Sequence, residues 1–140
     1  MLVRLLYASR AVDTTPEAID AILVQSRQHN PECGITGILC YGGGIFLQAL
    51  EGGRMAVSEL FGHIQRDPRH KDVVLLHYQE ISERRFAGWT MGQVNTSKIN
   101  ASILLKYAEK AVLDPYSVSG SVSLALLEEL MATACIMGRS

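Results

Sequence analysis

No sign of charge dominates this chain. Only 19% of its residues are charged and the formal net charge is −1, so it lacks the basic footprint with which a domain holds nucleic acid. Long apolar runs are missing too: a bilayer span needs about 20 such residues, and the runs here are shorter. The opening residues Met1-Leu2-Val3-Arg4-Leu5-Leu6-Tyr7 carry neither a charged leader nor a cleavage site, so no secretory signal is expected. Cysteine is scarce. Cys33, Cys40 and Cys135 are odd in number, widely spaced and in no CxxC pair, which fits small apolar residues in a reduced, cytoplasmic setting. His29, His63, His70 and His77 show no zinc-type spacing with those cysteines. Repeats and low-complexity segments are also lacking, and 140 residues amount to about one domain with a single core.

What is present reads as alternating strands and helices. Leu2 to Ser9 is a strand with Val3, Leu5, Tyr7 and Ser9 on one face. Thr15 before Pro16 marks a helix start, and Pro31 ends that helix near His29. A second strand spans Cys33 to Tyr41, and the glycines at 42–44 turn it into a third as a hairpin. These glycines are a poor phosphate loop, because no helix follows and the GxxxxGK[ST] lysine is absent. Val57, Leu60, Phe61 and Ile64 repeat at helical spacing, and Asp67-Pro68 closes that helix. Val73 to Ile81 and Trp89 to Val94 complete the strands. Strand–helix–strand crossovers are right-handed, so both helices share one face. The expected fold is therefore α+β, a ferredoxin-like βαββαββ sandwich with a mixed five-stranded sheet, two helices on one face and two further C-terminal helices. Residues 1–96 form the domain and 97–140 a helical extension, in which Ser121 caps a helix reaching about Met137. Its broad apolar face packs on the open side of the sheet or on a second subunit.

One residue breaks the apolar pattern. In Ile45-Phe46-Leu47-Gln48-Ala49-Leu50 both faces are apolar except at Gln48. A buried carboxamide left unpaired costs about 1–3 kcal/mol, so protein or ligand should meet it. No nucleophile–base–orienter set can be assembled. Ser9 has no base beside it in the sequence, and Glu51 reads as a turn residue at a strand end. Taken singly, Tyr7 is a core tyrosine, Ile22 and Ile64 are core, Asn30 ends a helix, His29 is a surface histidine, Trp89 is a half-buried aromatic and Met91 fills a gap in the core.

Taken in series, the residues say more. Arg4-Leu5-Leu6-Tyr7-Ala8-Ser9, Gly34-Ile35-Thr36-Gly37-Ile38-Leu39, Phe46-Leu47-Gln48-Ala49-Leu50-Glu51-Gly52, Asp67-Pro68-Arg69-His70 and Phe86-Ala87-Gly88-Trp89-Thr90-Met91 follow one another at compatible spacing. This combination closely resembles the BLUF family, the blue-light sensors that use FAD, over roughly residues 2–95. In size and short tail the chain looks like the family's small stand-alone members.

The resemblance implies non-covalent FAD with its isoalloxazine between the two crossover helices. Tyr7 and Gln48 match the photoactive pair, and Asn30 the side chain that bonds the polar edge of the ring. Ile22 and Ile64 match the aliphatic residues on its faces. His29, Asp67, Arg69 and His70 fall where the family contacts the flavin or its ribityl-phosphate arm, and Trp89 and Met91 where fifth-strand residues exchange places near the glutamine. Thr90 replaces the serine common in that last motif, and a small hydroxyl is kept. The implied function is a non-enzymatic photoreceptor: Tyr7 gives up an electron and a proton, Gln48 changes its hydrogen bonds, and the signal passes to a separate protein, with homodimerisation through residues 122–137 as another use of that face. The rival reading is a light-independent ferredoxin-like module for another ligand or a protein partner. Neither nucleic acid nor membrane is expected as a partner.

Overall fold

A computed structural model describes residues 1–132 and 137–139. The first strand, β1 (Leu2–Ala11), leads into α1 (Pro16–His29). The Thr15 hydroxyl accepts from the Ala18 N–H at 3.3 Å, so the predicted capping residue and the following proline do start this helix. At its end the chain does not enter a strand at Cys33, as the sequence reading expects. Residues Asn30–Cys33 form one 3-10 turn, Gly34 takes φ 70°, and the second strand, β2, begins only at Thr36 (Thr36–Gly42). The reason is local: the Ile35 and Gly34 N–H groups bond back to the Asn30 and Pro31 carbonyls, and the left-handed residue that closes the turn is a glycine. This turn buries Asn30 and exposes Cys33.

The hairpin from β2 to β3 (Ile45–Gly53) uses Gly43 and Gly44 at φ 59° and 78°, the two positive angles that a two-residue turn of this hand requires. Next come α2 (Arg54–Arg66), β4 (His70–Ile81) and β5 (Trp89–Asn95), then a 3-10 turn at Thr96–Lys98, α3 (Ala101–Tyr107) and α4 (Gly120–Met131). With a last strand, β6 (Met137–Arg139), the sheet order is β4-β1-β3-β2-β5-β6, antiparallel except for β2 against β5. Its first four strands are the ferredoxin-like arrangement. The sixth, β6, was not foreseen: Met137 lies opposite Gln93 on the edge of β5 rather than at the end of a helix. Ser119, not Ser121, caps α4 by accepting from the Val122 N–H at 3.2 Å. A strand on the β5 edge satisfies backbone groups that an open edge would leave to solvent. Residues 133–136, within the expected helix, lie outside the described residues.

Two cores sandwich the sheet. On one side Val3, Leu5, Tyr7, Phe46 and Leu50 pack with Ile19 and Ile22 of α1 and Val57 of α2. On the other, Leu6, Leu47 and Ala49 pack with Leu104 of α3 and Leu124, Leu126, Leu127 and Leu130 of α4. The apolar face of α4 thus covers the open side of the sheet. At about 1.5–3 kcal/mol for each large aliphatic side chain removed from water, both layers contribute heavily to the fold. Among the described residues no helix is long and apolar enough to cross a membrane.

Candidate functional site

The central strands β1 and β3 form the floor of a groove between α1 and α2. Their register sets Tyr7 directly opposite Gln48, and opposed residues in an antiparallel pair share a face with their Cβ atoms about 5 Å apart. The Tyr7 hydroxyl therefore donates to Gln48 Oε1, and Gln48 Nε2 donates to Met91 Sδ at 3.2 Å from β5. The question raised by the buried amide is answered on both ends by protein, yet Tyr7 and Gln48 still face a cavity of about 500 Å³. Burial, and after it the charge of Asp67, push the Tyr7 pKa well above that of a free phenol. The hydroxyl stays protonated at neutral pH and stays a donor to Gln48.

The same cavity gathers every residue proposed for flavin binding. Ile22 comes from the inner face of α1 and Ile64 from that of α2, with Leu60 one turn before it. Asn30 enters from the 3-10 turn, 2% exposed, and its Nδ2 has no hydrogen-bond partner among the described residues. A buried amide donor without an acceptor is the kind of group a ligand carbonyl or ring nitrogen satisfies. His29 sits at the rim, where its Nε2 lies 3.7 Å from Cys33 Sγ.

Asp67, Arg69 and His70 close the far end. Arg69 Nη2 reaches Asp67 Oδ2 at 2.7 Å and Gln25 Oε1 of α1 at 2.7 Å, tying the start of β4 across the groove. Hydrogen bonds from Arg69 hold the Asp67 carboxyl below the usual carboxylate range. Ser9, which showed no base in the sequence, meets one here: its Oγ is 2.9 Å from His70 Nδ1, while the His70 ring lies 5.2 Å from that of Phe46. Desolvation lowers the His70 pKa, opposed by Asp67 and aided by Arg69.

Two predicted residues part company. Met91 joins the core on the cavity side, whereas Trp89 joins Phe86 and the α4 leucines on the opposite side. Residues two apart normally share a face, but the pairing of β5 with β6 slips between Trp89 and Gln93. Sequence reasoning missed Ser9, Gln25, Cys33, Glu59 and His63 as neighbours of the site. Gln25 stands three positions from Ile22, and Glu59 stands four from His63, helical spacings that put each on a shared face and could have flagged them. Ser9 and His70 meet only because β1 pairs with β4.

The family model for sensors of blue-light using FAD, BLUF, matches residues 2–92. The chain belongs to the BLUF family. Its curated relatives include the beta subunit of photoactivated adenylate cyclase from Euglena longa, 40% identical over an alignment of 94 residues, which covers 64% of this chain and 11% of that protein. Another is the blue light- and temperature-regulated antirepressor BluF of Escherichia coli, 34% identical over 61% of this chain and 22% of its own. The chain thus spans under a quarter of either protein. Two solved BLUF structures match nearly end to end. BlsA in its photo-activated state has a TM-score of 0.84 at 30% identity, covering 96% of this chain and 98% of that one. BlrB in the dark state has 0.76 at 38%, covering 94% and 95%. FAD is the family's chromophore, and the residues present fit it: aliphatic side chains on two opposed helices for a flat ring, and an unpaired buried amide at Asn30 for its polar edge.

Proposed function

We propose that this BLUF chain is a blue-light photoreceptor in which Tyr7 and Gln48 are the photoactive pair, rather than an enzyme. The observation that carries this reading is the Tyr7 hydroxyl lodged on the Gln48 carbonyl at the floor of a cavity walled by Ile22 of α1 and Ile64 of α2. Ile22, Asn30 and Ile64 would hold the ring of FAD, and His29, Asp67, Arg69 and His70 its outer part. Bound FAD supplies blue-light absorption and, once excited, a strong electron acceptor. Everything else is the work of the chain. Tyr7 is too deeply buried to ionise in the dark, so it loses its proton only together with an electron. Gln48 Oε1, which accepts the Tyr7 hydrogen bond, is the first atom on that proton's path, and the electron and proton return to Tyr7 before the cycle closes. Among the described residues Gln48 Nε2 is bonded to a thioether, a weak acceptor, so reorienting the carboxamide breaks little. Met91 loses its donor when Gln48 turns, which carries the change into β5. The output passes to a separate cytoplasmic protein, from a flavin-binding unit of residues 1–96 followed by a C-terminal segment of 97–140.

An absorption spectrum taken before and after blue light tests this. The purified protein should carry FAD, and light should shift its bands reversibly to the red. Tyr7→Phe and Gln48→Ala should keep the flavin and lose the shift. A chain that fails to bind FAD on reconstitution would refute the reading.

A further inference from the structure

Outside the cavity, Glu51 accepts three hydrogen bonds from described residues at its carboxylate. Far from being a turn residue, it lies within β3, three positions beyond Gln48 and fully buried. Its Oε2 accepts from Arg4 Nε at 2.7 Å and the Arg85 N–H at 3.1 Å, and its Oε1 accepts from the Phe86 N–H at 2.7 Å. Arg84 Nη1 adds bonds to Thr36 Oγ1 at 2.9 Å and to the Glu51 carbonyl at 3.3 Å. The segment 84–86, which connects β4 to β5, is thereby fastened to the strand that carries Gln48. Its other side meets α4. The Arg85 guanidinium pairs with Glu128, and the Phe86 ring lies in the core that contains Leu127 and Leu130. The Phe86 carbonyl in turn accepts from the Trp89 N–H at 3.0 Å, which fixes where β5 begins.

We propose that residues 84–86 couple the light-sensing site to α4, with Glu51 positioning their backbone from β3 and the ion pair of Arg85 with Glu128 transferring their position to the helix. This rests on the photoreceptor reading above. A strand cannot shift at Gln48 without moving Glu51, because the sheet backbone between them is continuous. Glu51 holds two consecutive N–H groups of the segment, so the segment follows. At the far end the ion pair is half exposed, with side-chain exposures of 51% and 33%. A pair of that exposure biases an equilibrium by no more than about fivefold, which sets the size of the effect to look for.

The test compares amide hydrogen exchange of residues 122–131 in the dark and under blue light, alongside the flavin spectrum of the same FAD-loaded samples. The wild-type protein should show a red shift and an α4 exchange change of up to about fivefold. Arg85→Ala and Glu128→Gln should keep the red shift and dark exchange but lose the light-dependent change in α4. The charge-reversed double variant Arg85→Glu with Glu128→Arg should restore it, which a merely structural contact would not require. Single variants that keep the α4 response, or a reversed pair that fails to restore it, overturn the coupling. So does a wild-type red shift with unchanged α4 exchange. A wild-type protein with no red shift at all overturns the photoreceptor reading, and the coupling falls with it.

Discussion

The buried pair of Arg4 and Glu51 should be among the costliest single sites in the protein to disturb. Arg4 is 3% exposed and Glu51 fully buried, so neither charge is screened by water. Glu51→Gln keeps the shape and leaves an oxygen for the Phe86 N–H. It also removes the negative charge and turns an NH2 group toward the guanidinium and the Arg85 N–H, where donors face donors. An uncompensated buried charge left by removing one partner costs about 3–5 kcal/mol. At about 3 °C per kcal/mol for a chain of this length, Tm should fall by about 10–15 °C. Urea denaturation at neutral pH, with every variant in the same FAD-loading state, gives the free energy directly provided the m-value is unchanged. Arg4→Met strands the carboxylate instead and should also be severe. The double variant removes both charges and should lose much less than the sum of the singles, because no ion is left without a partner. A loss below about 1 kcal/mol for Glu51→Gln, or strict additivity in the double variant, would refute the account of Glu51 as the anchor of residues 84–86.

Two further outcomes follow from the geometry. Desolvation lowers the pKa of His70 in the folded state, so the unfolded chain binds its proton more readily. The stability this contributes is complete above the ordinary histidine value near 6.5 and is lost as pH falls through the folded-state pKa. Lowering pH from 7 to 5.5 should therefore reduce Tm more in the wild type than in His70→Gln, and equal slopes would exclude His70 as the source. Gly120→Ala should destabilise the protein although alanine favours helices, because a Cβ at that position would lie 2.2 Å from the Leu76 carbonyl oxygen of β4. The α4 N-terminus must then lift from the sheet, and a Tm equal to the wild type would show that the close approach is not required.

Periodicity and punctuation alone determined most of the architecture. Thr15 with Pro16, Pro31, the glycine pair at the hairpin and Asp67-Pro68 set element boundaries through local backbone chemistry, which needs no knowledge of the rest of the fold. The order of strands and helices, joined to right-handed crossovers, was enough to put two helices over the central strands. Gln48 announced itself because a lone amide in an apolar strand contradicts its surroundings. What met it did not. Tyr7, Gln48 and Met91 are 41 and 43 residues apart in the chain, and only the strand register and the slip in β5 decided that they touch while Trp89 turns away. Ser9 and His70, 61 residues apart, and Glu51 with Phe86, 35 apart, are pairs of the same kind. The edge strand β6 belongs with them: whether Met137 extends a helix or completes a sheet depends on the unpaired edge of β5 nearby, and that is a property of the folded sheet.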